Sequence, residues 1–229
     1  STPINYISYQ VRATDGKKHD VQFLLTADAT QAINKSNQPT LTSRGFEDGI
    51  AYVKAGTVEQ PILAKKGDGI CIDWGYFYMP AINGNVSMGQ PDKMLEAFVQ
   101  TGKFPRPDRA QMQGEKGRSA RRGIRAENVA EMPAMAYVHN FGQVEQASSF
   151  TMLGYDEVQD IEYMYERYKG YWAHGGQVSI FQAFRNLQSR YAAIMARCRA
   201  FDKQIYDDGM AAGGKEYAEM LSGSYRHVM

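Results

Sequence analysis

The sequence predicts an α+β chain: an antiparallel β-sandwich over residues 1–148, followed by α-helical hairpins over 149–229. Three observations predict it. Apolar and polar residues alternate with period 2 in the first part, the signature of half-buried strands. Polar, glycine-containing breaks separate these short runs, as in antiparallel sandwiches. A long helical stripe then steps by four and three from Ile180 to Ile205.

The elements follow in order. Ile7, Tyr9, Val11 and Ala13 alternate with Ser8, Gln10 and Arg12. Asp15-Gly16 comes next, a pair that tight hairpins favour because glycine accepts positive φ without a Cβ clash. Val21, Phe23, Leu25, Ala27 and Ala29 alternate again, so a hairpin is expected here. Further strands are expected over 49–54, 69–79 and 135–144. Residues 93–100 predict one short helix, with Met94, Leu95, Phe98 and Val99 on one side. From Lys103 to Arg125 there are eight basic residues and two acids. Phe104 is its one aromatic, too few for a base-stacking platform, so this stretch reads as a solvated excursion rather than a polyanion site.

The chain changes character near residue 150. Val158, Ile161, Tyr165 and Tyr168 recur at spacings of 3, 4 and 3, which predicts an amphipathic helix over 155–168. Glycines 170, 175 and 176 break it. Ile180, Phe184, Leu187, Tyr191, Ile194, Cys198, Phe201 and Ile205 form the longest stripe, roughly 39 Å at the α-helical rise. Gly213-Gly214 signals its end, and a last helix carries Tyr217, Met220, Leu221, Tyr225 and Val228. That helix is about 22 Å long, so half the seam is expected to lack a partner within this chain. The expectation is that the chain is the front part of something longer, cut at Met229.

Composition excludes several classes. The 229 residues are 43% hydrophobic and 22% charged, enough for a real core, and the net charge is +1. No bulk field draws the chain to nucleic acid. No run of 18 apolar residues predicts a membrane span. The opening STPINYISYQV lacks the pattern of a signal peptide. Cys71 and Cys198 are too few for a disulfide framework and read as buried thiols. The four histidines are too scattered for a zinc site, and no metal or cofactor is expected.

Three blocks carry a family resemblance: GTVEQPILAKKGDGICIDWGYFYM (56–79), TMLGYDEVQDIEYMYERYKGYW (151–172) and RCRAFDKQIYDDGMAAGGKEYAEMLSGSYRHVM (197–229). In this order they resemble the N-terminal β-domain and the opening of the helical domain of the glutaminase A family. The resemblance runs over most of the chain and is weakest over 82–130. It implies a β-sandwich followed by the start of an (α/α)6 toroid of six helical hairpins. It implies a secreted or periplasmic amidohydrolase that converts L-glutamine to L-glutamate and ammonia. It also implies that this chain, which reaches only about one hairpin, is inactive without the remainder of the helical domain.

Amide hydrolysis needs a nucleophile or activated water, an oxyanion donor and an acid for the leaving ammonia. No Gly-x-Ser-x-Gly or Ser-x-x-Lys motif is present. The candidate catalytic residues are Asp73, Asp156 and Glu157. Asp73 stands in the cluster Asp73-Trp74-Gly75-Tyr76, and the other two acids stand at the expected helix start. The candidate substrate-binding residues are Trp74, Tyr76, His139 and Arg226: aromatic walls, a histidine that titrates near neutrality, and a partner for a substrate carboxylate. Each also has a bland alternative: capping acids, a packed histidine, a solvated arginine. A carbohydrate-active hydrolase or sugar-binding module is the competing reading, because aromatic residues reach 12%. A third reading makes the sandwich a scaffold without chemistry, which is compatible with the first.

Overall fold

The computed structural model describes residues 2–65, 67–105, 124–126 and 133–228. The chain forms two compact units, residues 1–184 and 185–229.

The first unit holds two packed antiparallel sheets. The strands are β1 (Ile4–Arg12), β2 (His19–Ala27), β3 (Thr40–Glu47), β4 (Ile50–Thr57), β5 (Tyr76–Pro80), β6 (Asn85–Gly89), β7 (Ile124–Ala126), β8 (Ala134–Val144) and β9 (Gln146–Asp156). Six strands run in the order β1-β9-β5-β4-β3-β7, and three in the order β2-β8-β6. Val53, Ala55, Phe77 and Met79 from the larger sheet meet Met88, Met135 and Tyr137 from the smaller one. A 3-10 turn, Ala29–Ala32, adds two fully buried alanines to this core. Period-2 alternation thus produces a sandwich core, as the sequence predicts.

The expected β1–β2 hairpin does not form. β1 pairs with β9 and β2 with β8, so the two strands lie in different sheets. Asp15-Gly16 is a corner between sheets, and Ala13 N–H donates to Glu145 O where β8 passes into β9. The Asp-Gly hairpin is instead Asp48-Gly49, joining β3 to β4 with both residues at positive φ, the two-residue turn that glycine permits. The strand expected over 69–79 is shorter, since only Tyr76–Pro80 pairs. Helix α1 (Pro91–Thr101) starts on proline and ends on left-handed Gly102, as helix-end chemistry favours. Met94 buries it against Ala134 and Ala136. Most of the basic stretch that follows lies outside the described residues.

The expected boundary at 148/149 falls inside β9, and the helix expected over 155–168 is absent. β9 continues to Asp156, and two short strands follow, β10 (Ile161–Tyr163) and β11 (Glu166–Tyr168). Val158, Met164 and Tyr165 all have positive φ, which no right-handed helix accepts. Met164 and Tyr165 form the two-residue tip between Tyr163 and Glu166. Tyr163, Met164, Tyr165 and Tyr168 are exposed there.

Helix α2 (Ile180–Val228) is broken at Gly214, whose φ of 75° and ψ of −169° leave helical geometry. Its first turn belongs to the first unit. Phe181 packs 4.7 Å from the Tyr52 ring and 5.6 Å from Tyr78, on the outer face of the larger sheet. Gly154 makes room for Phe184: a Cβ there would lie 2.6 Å from the ring. In the second unit the two limbs run antiparallel. Phe201 meets Tyr225 at 5.3 Å, and Gly209 lies directly against Ala218. This is the hairpin that Gly213-Gly214 predicts. Cys198 on its stripe and Cys71 in the 67–75 loop are both exposed, correcting the buried-thiol expectation.

Candidate functional site

The β5–β9 junction gathers most of the candidate residues. Tyr76 lies directly opposite Asp156 in the ladder, so the 73–76 segment and the turn after β9 are brought side by side. Gly75, at φ +77°, passes so close that a Cβ would sit 2.2 Å from Asp156 O. Only glycine fits this approach.

The loop before β5 is pinned from inside. Asp73 is 1% exposed. Its Oδ2 accepts from Lys65 Nζ at 2.5 Å and from Gln38 Nε2 at 2.7 Å. Thr57 Oγ1 donates to Asp73 O at 2.6 Å. Trp74 is buried and donates its indole N–H to Gln159 O at 3.0 Å. Tyr155 donates its phenol to Trp74 O at 2.6 Å, and burial pushes that phenol well above the usual tyrosine range. Asp73 and Trp74 therefore tie neighbouring segments together through these hydrogen bonds.

The turn after β9 is acidic. Asp156 Oδ1 accepts from Val158 N–H at 2.9 Å. Asp160 Oδ2 accepts from Gly170 N–H at 2.6 Å. Glu157 is half-buried, and burial holds its carboxyl above the usual range, with Asp160 by charge and hydrogen bond, and Asp156 by charge, adding to the rise. A carboxyl raised this way keeps its proton to higher pH than a free glutamate and can serve as a proton donor. Trp172 stands over the same turn: its Cδ1 and Asp160 Oδ1 both lie within 3.0 Å of where a Cβ on Gly170 would be. Among the described residues, Trp172 Nε1 and Gln159 Oε1 are buried polar atoms without a hydrogen-bond partner.

On the outer face of the larger sheet, Lys54 Nζ sits 3.9 Å from the Tyr76 ring centre and 5.6 Å from that of Tyr78. Burial holds the Lys54 amine below the usual lysine range, opposed by the charges of Glu47 and Asp156. Sequence reasoning missed Lys54 and Asp160. A lysine two positions after Tyr52 in an otherwise apolar strand was the available signal for the first.

His139 is elsewhere. It lies on β8 in the smaller sheet, opposite Phe23. Its Nδ1 is 2.8 Å from Tyr9 Oη, and its ring stacks on Phe141 at 4.2 Å. Burial lowers its pKa below the usual histidine value. Arg226 falls in the last turns of α2, and its side chain lies outside the described residues. Asp73, Trp74, Tyr76, Asp156 and Glu157 are thus brought together, and His139 is not. Among the described residues, no group of three or more His, Cys, Asp or Glu side chains could hold a metal ion. No helix among them is long and apolar enough to cross a membrane.

The family described as a domain of unknown function (DUF5127) matches residues 1–208, and the chain belongs to that family. The chain is similar to Glutaminase A of Aspergillus oryzae (strain ATCC 42149 / RIB 40): 24% identical over 242 aligned residues, covering the whole of this chain and 32% of that protein. The chain therefore spans about a third of the length of this curated relative. The relationship is distant.

Proposed function

We propose that this chain is the sandwich and first helical hairpin of a glutaminase-like amidohydrolase that converts L-glutamine to L-glutamate and ammonia. The observation that carries the reading is the alignment with Glutaminase A over the full length of the chain. The acidic turn supports it. Glu157, with its raised carboxyl and Asp160 beside it, is the acid that protonates the departing ammonia. Asp73 and Trp74 serve as scaffold, since their polar groups are engaged inside the loop. In this reading the rest of an (α/α)6 helical domain is the sandwich's partner, and the protein is exported. The test is ammonia release from L-glutamine by this chain and by a longer parent. Release by the parent supports the reading, and loss of that release in Glu157→Gln supports the role of Glu157. No release from L-glutamine by either overturns the substrate.

A second reading has one observation in its favour. Tyr165 and Tyr171 are 98% and 89% exposed, as rings that stack on sugars would be. A glycan array without hits removes the sugar-binding form of this reading.

A further inference from the structure

The outer face of the larger sheet carries an arrangement that the reaction above does not use. Residues opposite one another in a ladder point to the same face. Lys54 pairs with Tyr78, Tyr78 with Gly154, and Tyr76 with Asp156. Lys54, Tyr76, Tyr78 and Asp156 therefore share one face, in three adjacent strands. The Lys54 ammonium lies over the Tyr76 ring, and Asp156 is the next residue across from that ring. Among the described residues, no carboxylate lies within 4.0 Å of the Lys54 ammonium. Glu47 and Asp156 act on it only from longer range. Asp156 uses one oxygen for Val158 N–H, and a carboxylate has further acceptor positions to offer.

We propose that Lys54 and Asp156, flanking the Tyr76 ring, bind the zwitterionic head of a free α-amino acid, Lys54 taking the α-carboxylate and Asp156 the α-ammonium. The inference rests on the amidohydrolase reading and assigns the groups that hold the head of its free amino-acid substrate.

The charges decide the ligand class. A simple anion at Lys54 is repelled by Asp156 and Glu47. A simple cation at Asp156 is repelled by Lys54. A molecule carrying both charges on neighbouring atoms satisfies each group and adds no net charge to a half-buried site. A glutamine residue inside a peptide has neither head charge, so this site gives it no grip.

The experiment is calorimetric titration of the 229-residue chain at pH 7 with three probes: L-glutamine, N-acetyl-L-glutamine and L-glutaminamide. Saturable L-glutamine binding is expected, with each capped analogue at least 10-fold weaker. Lys54→Met is expected to weaken L-glutamine about 10-fold and leave L-glutaminamide unchanged. Asp156→Asn is expected to weaken L-glutamine and leave N-acetyl-L-glutamine unchanged. No saturable binding, equal affinity for all three probes, or variants that weaken all three alike overturns the proposal. If a variant fails to fold by urea titration, the three-probe comparison on the unaltered chain decides alone. L-glutamine binding with no ammonia released by the parent defeats the amidohydrolase reading and leaves this site standing. Ammonia release with free and capped glutamine treated alike does the reverse.

Discussion

Gln60 and Gly75 hold each other through two hydrogen bonds: Gly75 N–H donates to Gln60 Oε1 at 2.7 Å, and Gln60 Nε2 donates to Gly75 O at 3.1 Å. The side-chain amide acts as an extra backbone unit beside the Asp73–Tyr76 segment and fixes it where β9 ends.

Gly75→Ala is the sharpest test of that junction. Alanine at φ +77° is strained, and its Cβ would collide with the Asp156 carbonyl. The expected cost is about 3 kcal/mol, seen as a fall in Tm of roughly 6–12 °C for a chain of this size. A Tm within a degree of the parent's would mean that the two segments do not approach this closely.

The Lys65–Asp73 pair is asymmetric: Lys65 is 38% exposed and Asp73 is 1% exposed. Lys65→Met strands a buried carboxylate on Gln38 alone, and about 3 kcal/mol is expected. Asp73→Asn keeps the shape and leaves Lys65 able to turn to water, so about 1 kcal/mol is expected. Urea unfolding of both variants checks the order. Equal costs would remove the case for Asp73 as a buried anchor.

Glu157 gives a pH signature. A carboxyl whose folded pKa is raised binds its proton more tightly in the folded state. Its stabilising effect is present while it is protonated and is lost as pH rises through the raised value. Glu157→Gln removes that loss. The variant is expected to match the parent in acid, below the ordinary carboxylate range, and to exceed it in Tm toward neutral pH. Parallel Tm profiles from pH 4 to 8 would contradict the cause assigned to the shift, which is burial first and the Asp160 and Asp156 carboxylates second.

Cys71 and Cys198 are exposed, so a thiol reagent is expected to titrate both in the native protein without denaturant. Reaction only after unfolding would restore the buried-thiol reading.

The sequence was legible where local pattern and global packing agree. The alternation in β1, β2 and β8 marks real strands, and the stripe ending at Gly213-Gly214 marks a real helix with a real break. It misled where local chemistry fits two outcomes. Asp15-Gly16 and Asp48-Gly49 are the same dipeptide, yet only the second closes a hairpin. Pairing is decided by the strand each partner meets in the folded sheet, which the turn does not encode. Val158, Ile161, Tyr165 and Tyr168 match a helical period, but the chain there is two short strands with left-handed Met164 and Tyr165 at the tip. Neither is glycine or asparagine, so no turn signal appears in the sequence. The site was partly legible because Asp73, Trp74 and Tyr76 are neighbours in sequence. Lys54 was not, because its relation to Asp156 runs across three strands.

The pairing of β1 with β9 and β2 with β8 sets the order in which the protein can assemble. β1 and β2 are synthesised before their partners, which follow more than a hundred residues later. Until β8 and β9 arrive, β1 and β2 have nothing to pair with, while the Asp48-Gly49 hairpin can close locally within microseconds. Closure of the sandwich is therefore a late, long-range event, slow in the manner of high-contact-order sheets. The unpaired β1 and β2 are the segments a chaperone would shield in the meantime.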